Sequence, residues 1–213
     1  MNRLILIFFL LTPLSMQSHN GLCTIRKAGE NVYVSSQIDD HHEINYWFKK
    51  CMANDLFTFY RVSVTSGTTG TKVVNEAYSD NIGPFEIRGG GWCGGNHLFT
   101  DEKTQTAETF SIKLYADGQS ISSDTLLKTQ TIKLEVKNRI FNPLSAEQTG
   151  DKTYFTDTLC IENVNYTIRG NSIQVDLSHD YINRIPVIIT KYYGMQSMFK
   201  DENQLLTPLG KYP

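Results

Sequence analysis

The chain has 213 residues, with 20 Lys and Arg against 22 Asp and Glu, and 40 % of its residues are hydrophobic. A formal charge of −2 at pH 7 leaves no electrostatic footprint for nucleic acid or an anionic membrane surface, so neither is expected as a partner. The length suits one domain with a real core, and no internal repeat or low-complexity tract divides it.

Arg3 is followed by an apolar run, residues 4–14, and then by small and polar residues 15–18. This order reads as a secretory signal peptide over residues 1–18, cleaved near Ser18. The run is short for a membrane span, and Leu22 just before Cys23 argues against a lipid anchor. A secreted or periplasmic protein is therefore expected, with one domain over residues 19–213. Losing Arg3 with the leader leaves 19 basic residues against 22 acidic ones, a formal charge of −3. Cys23, Cys51, Cys93 and Cys160 all fall in the exported part; their spacing fits no zinc pattern, and four cysteines allow three pairings. One or two disulfides, or buried free thiols, both stay open.

Residues 31–38 are rich in β-branched and aromatic side chains and predict a strand. Ile44, Trp47, Phe48, Cys51 and Met52 then recur at helical spacing, with Asp40 and Glu43 placed as a capping box, and predict the one short helix. Asp39, Asp40, His41, His42 and Glu43 are read as its solvated start; adjacent ligands rarely converge on a metal, so none is expected. From Leu56 the pattern is β: strands at 56–64 and 71–77 about a turn at 66–70, and alternating strands at 110–116 and 131–137. A long polar connection at 142–158 leads to a hairpin of 160–168 with 173–177, and then to a last strand at 187–193. Asp117-Gly118 and residues 169–172 are predicted to close hairpins. The fold class is all-β, an antiparallel sandwich with one short helix, since no βαβ rhythm appears.

Six of the chain's 15 glycines lie between Gly83 and Gly95. Such a segment needs positive φ or close backbone approach, and here Arg88, Trp92, Cys93, Asn96 and His97 are set among the glycines. It reads either as a binding loop or as a tight corner between sheets. No motif for a phosphate, dinucleotide or other cofactor is present, nor a named catalytic motif, so no cofactor is expected. The remaining groups suit sugars. Trp92 and Tyr193 offer faces to pyranose C–H surfaces, while Asn75, Glu76, Arg88, Asn96 and Gln196 offer hydrogen bonds.

His97 carries an imidazole, the side chain most used for proton transfer, and follows a flexible glycine pair, which makes it the first candidate for acid/base work; Tyr192 is the second. Adjacent tyrosines on a strand face opposite ways, so at most one of Tyr192 and Tyr193 can share the site of His97. The segment 89–97 and the strand end 192–196 are expected to lie side by side.

Residues 94–97 (GGNH), 106–109 (TAET), 115–118 (YADG) and 192–196 (YYGMQ), in this order, resemble phage-tail-associated and secreted bacterial β-rich proteins. That resemblance spans roughly residues 55–200; it implies an extracellular module facing glycans and assigns no catalytic residue. The texture is also similar to the sugar-handling supersandwich of mutarotases and polysaccharide lyases. The leading expectation is a secreted β-sandwich that binds, and in the fuller reading processes, a polysaccharide or other glycan. A structural or adhesion module without a glycan site is the alternative, and a lyase or epimerase using His97 the third.

Overall fold

In the computed structural model, residues 21–76 and 82–194 are described throughout, together with the backbone of 205–207 and 210–212. The expected signal peptide, Gln196 and most of the tail lie outside them. A six-stranded antiparallel sheet runs in the order β10 (Thr125–Thr129), β1 (Cys23–Ala28), β2 (Asn31–Gln37), β3 (His42–Cys51), β4 (Leu56–Ser66), β5 (Gly70–Glu76). A five-stranded sheet runs β15 (Ser172–Tyr181), β14 (Thr158–Arg169), β11 (Ile132–Phe141), β8 (Ala107–Ala116), β9 (Gln119–Ser120).

The two sheets close face to face on one apolar layer. Ile25, Val32, Val34, Tyr46, Phe48, Phe57 and Phe59 come from the first sheet, and Leu114, Leu134, Val136, Val164, Tyr166 and Ile168 from the second. Alternation supplies these residues, because every second side chain of a strand points to the same face. Tyr166 is fully buried, with Phe48 edge-on at 5.2 Å and Phe59 at 6.4 Å. Its hydroxyl finds Thr58 Oγ1 at 3.0 Å, which satisfies the one polar atom that this burial would otherwise strand.

A three-stranded sheet, β16 (Ile189–Tyr192), β6 (Phe85–Ile87), β7 (Gly91–Cys93), packs on a second cluster formed by Leu56, Phe85, Ile87, Cys93, Ala107, Ile140, Leu159 and Cys160.

The all-β sandwich stands, but the expected helix is a strand. Residues 42–51 pair with β4 along their length and with β2 over 43–48, and among the described residues the only helical element is a 3₁₀ turn at Pro143–Ser145. Asp39 serves a tight turn instead of a helix start: its Oδ1 accepts the amides of His41 and His42, at 2.8 and 2.9 Å, and the His42 ring nitrogen lies at 2.8 Å. The polar connection at 142–158 is likewise structured, holding that 3₁₀ turn and a hairpin of β12 (Ala146–Thr149) with β13 (Lys152–Phe155). Asp117-Gly118 closes β8 onto β9, with both residues at positive φ (46° and 82°) as a two-residue hairpin turn requires. Residues 169–172 close β14 onto β15. All four cysteines are free and buried.

Candidate functional site

The glycine-rich segment folds as the β6–β7 hairpin followed by a turn at 94–97. Gly89, Gly91, Gly94 and Gly95 have φ between +49° and +78°. At Gly83 the need is for space: a Cβ there would fall on the backbone carbonyl of Gly194. This contact brings the end of β16 against the start of β6.

What holds the 94–97 turn is Asn54, from the β3–β4 connection. Its buried amide Nδ2 donates toward the carbonyls of Gly94, Gly95 and His97 at 3.2, 2.9 and 2.9 Å. Its Oδ1 accepts the amide of Thr106 at 2.7 Å. Asn96 Oδ1 accepts the amide of Ala53 at 2.7 Å, so Asn96 ties the turn to the large sheet. The segment is thus a built corner as well as a surface.

On the outer face of the small sheet, Lys191, Glu86 and Trp92 sit opposite one another across β16, β6 and β7. Trp92 stacks on His97 (ring centres 4.9 Å apart, 17° between planes), and Tyr193 lies against Trp92 at 5.1 Å and 34°. Lys191 Nζ is 5.6 Å from the Trp92 ring and 3.1 Å from Glu86 Oε2, which also accepts the Thr190 hydroxyl at 2.9 Å. The Lys191 and Thr190 hydrogen bonds hold the Glu86 carboxyl below its ordinary pKa, and Glu86 in turn raises Lys191. The result is an aromatic ledge with fixed charges at its rim. The segment 89–97 and the strand end at 192–193 therefore do lie side by side.

The expected pairing of His97 with Tyr192 is not formed, because Tyr193 takes the position beside Trp92. Tyr192 is paired with Phe85 in register and stacks on it at 4.8 Å, on the other face of the small sheet. There it meets His179, edge-on at 5.3 Å. Burial, then the charge of Glu162, push the Tyr192 phenol up to about 12, so it stays protonated near neutrality and has almost no phenolate to act as a base. Asn75 and Glu76 stand on β5 of the six-stranded sheet, both buried, with Glu76 Oε1 2.9 Å from Arg61; they do not belong to the ledge. Arg88 is exposed, and its backbone amide donates to Ile188 at 3.0 Å.

Sequence reasoning missed His179 and Glu162. Glu162 is fully buried, accepts the Asn138 amide at 2.9 Å and lies 3.1 Å from His179 Nε2; Asn138 in turn accepts the Thr109 hydroxyl at 2.6 Å. A glutamate in the middle of an apolar alternation, residues 160–168, was the available signal. Lys191, Thr190 and Glu86 were also missed at the rim. Among the described residues no three His, Cys, Asp or Glu side chains gather as a metal site, and no helix is long and apolar enough to cross a membrane.

Comparison of the chain with protein-family models, with curated proteins and with solved structures returned no match.

Proposed function

We propose that the protein is an exported glycan-binding β-sandwich and that the Trp92–His97–Tyr193 ledge is its contact surface. One observation carries the reading: three rings from two segments about a hundred residues apart are stacked into one half-open surface. Tyr193 ends the stack with half of its surface exposed, which leaves a phenol face for the C–H side of a pyranose. Glu86, Thr190 and Lys191 at the rim supply acceptors and donors for sugar hydroxyls.

Binding is favoured over catalysis because His97 and Tyr192 occupy opposite faces of the small sheet, so neither serves the other as acid to base. The leader-like residues 1–18 support export. The Asn54 and Asn96 bonds favour a purely structural corner as the second reading, since they alone explain the polar residues within the turn.

Affinity electrophoresis of the full chain through gels containing a panel of neutral and acidic polysaccharides separates the two. Retention on at least one polymer is expected, and Trp92→Ala costs about 1–2 kcal/mol of that affinity, as for truncating an aromatic anchor, with folding intact. No retention on any polymer, or retention indifferent to Trp92→Ala, leaves only the structural corner.

A further inference from the structure

The outer face of the six-stranded sheet carries a second aromatic array. Direct cross-strand pairing sets one residue from each strand into a single row: Leu126, Arg26, Tyr33, Trp47, Arg61 and Glu76. Their chain neighbours Ile25, Val34, Tyr46 and Phe48 point into the core, so the row faces outward. Its side chains stand as plates. The Arg26 guanidinium lies 5.3 Å from the Tyr33 ring, Tyr33 stacks on Trp47 at 5.3 Å and 27°, Arg61 follows at 5.8 Å from Trp47, and Glu76 closes the row 2.9 Å from Arg61. Lys49 Nζ sits 4.8 Å from Trp47 and 3.8 Å from Tyr60. Trp47 Nε1 donates to Asn31 Oδ1 at 2.9 Å, which fixes the indole upright.

Beside this wall, the next row on the same face is short and polar: Thr24, Ser35, Asn45 and Ser63, in register from β1 to β4, with Lys128 at its β10 end. The step from tall to short side chains makes a groove of about 340 Å³ between the wall and this floor. It crosses the strands, and at about 4.8 Å per strand a crossing of five strands is about 20 Å long, the scale of an oligosaccharide rather than a single sugar. The face carries Arg26, Lys49, Arg61 and Lys128 against Glu43 and Glu76, and Glu76 is already bound to Arg61. That is a local positive excess in a chain of net charge −2.

We propose that this groove binds an extended acidic polysaccharide, a uronate-bearing chain whose carboxylates meet Arg26 and Arg61 along the wall and Lys128 at the β10 end of the floor, while its hydroxyls meet Thr24, Ser35, Asn45 and Ser63. Charge complementarity selects an anionic chain. Single-stranded nucleic acid, which is also anionic, needs open aromatic faces for its bases; here Tyr33 and Trp47 are stacked on each other and Lys49 covers Trp47. A floor of hydroxyls and an amide matches a polyhydroxylated ligand better. The groove is on a different sheet from the Trp92 ledge and does not depend on it.

Because the chain has two tryptophans, Trp92→Phe leaves Trp47 as the sole indole and removes the ledge from the signal. The full-length Trp92→Phe protein is titrated with polygalacturonate, with dextran as a neutral polymer and with oligo(dT), following tryptophan emission at low and high salt. A saturable change with polygalacturonate that weakens as salt rises, with no response to dextran, is expected. In the same background Arg26→Glu reverses an exposed charge and Ser35→Tyr fills the floor with a residue strands accept; each weakens the apparent affinity about tenfold or more, with an unchanged unfolding transition. No saturable response, an equal response to dextran, tighter binding of oligo(dT), or indifference to both substitutions in folded protein overturns the proposal. Gel retention indifferent to Trp92→Ala, with the Trp47 response to polygalacturonate intact, removes the ledge reading alone.

Discussion

Replacing Asn54 tests whether the glycine-rich turn is held by one side chain. Asn54 is 1 % exposed, and Asn54→Ala leaves the carbonyl of Gly95 and the amide of Thr106 without the partners they have at 2.9 and 2.7 Å, while the His97 carbonyl keeps the Thr106 hydroxyl. An orphaned buried polar group costs about 1–3 kcal/mol; taking the low end for each of these two groups gives about 2 kcal/mol. For a domain of this size that lowers the melting temperature by roughly 4–8 °C. Asn54→Asp is the sharper arm, because it keeps shape and the Oδ1 acceptor but turns the donor into a carboxylate oxygen facing carbonyls. It is expected to be at least as destabilising as Ala at neutral pH, and to recover part of the loss in acid as the buried carboxyl is protonated. Urea unfolding of the three proteins, read by far-ultraviolet circular dichroism, gives both differences from the midpoints. A loss below about 1 kcal/mol for Asn54→Ala, or an aspartate variant as stable as the parent, refutes the assignment of the turn to this side chain.

Gly83→Ala drives a methyl onto the Gly194 carbonyl; it is expected to cost about 2 kcal/mol and to weaken glycan retention along with Tyr193 contact, whereas unchanged retention and stability dismiss the Gly83–Gly194 contact as the link between β6 and β16. Burial pushes the Cys51 and Cys93 thiols up to about 12 and raises Cys23 and Cys160 as well, so a thiol reagent is expected to find none of the four in native protein near neutrality and all four in urea; fast native labelling contradicts this. For Asp157, burial alone raises the carboxyl, but the amides of Ile185 and Arg184 and the Asn142 side chain outweigh it and leave the pKa below 3.8. A depressed folded pKa means the stability it contributes is present above the unfolded value and lost as pH falls through the folded one. Stability is therefore expected to drop below about pH 4, and less steeply in Asp157→Asn; equal slopes in acid urea titrations remove Asp157 as a cause.

Strands with one apolar and one polar face were legible, because their alternation survives in the sequence. Residues 132–141 alternate buried and exposed along their length, and that pattern permits only one reading. Strand β3 defeated the same logic for a physical reason. Tyr46 and Phe48 face the core, but Trp47 between them is also apolar, since it belongs to the aromatic row on the solvent face. With apolar side chains on both faces the period of two vanishes, and Ile44, Trp47, Phe48 and Cys51 fall by chance on a helical stripe. The β12–β13 hairpin was hidden by the opposite circumstance: each strand has four residues and none of them is fully buried, so the alternation is too short and too polar to read.

The same asymmetry governs the candidate sites. Glycine clustering exposed the ledge, because glycine's backbone demands are written in composition, and strand parity required that only one of Tyr192 and Tyr193 reach His97. Parity could not say which, since that depends on the register of β16 against β6, where the pairing shifts between Ile189 and Lys191. That irregularity sets Lys191 opposite Glu86 and Tyr192 opposite Phe85, and so leaves Tyr193 to meet Trp92. The row on the six-stranded sheet was less legible still. Its six members are scattered from residue 26 to residue 126 and are made neighbours only by pairing across five strand interfaces, each of which must be in register for an arginine to stand beside a tyrosine and a tyrosine beside a tryptophan. A surface assembled by register has no local signature, so the chemistry of a sheet face is found only after the sheet is built.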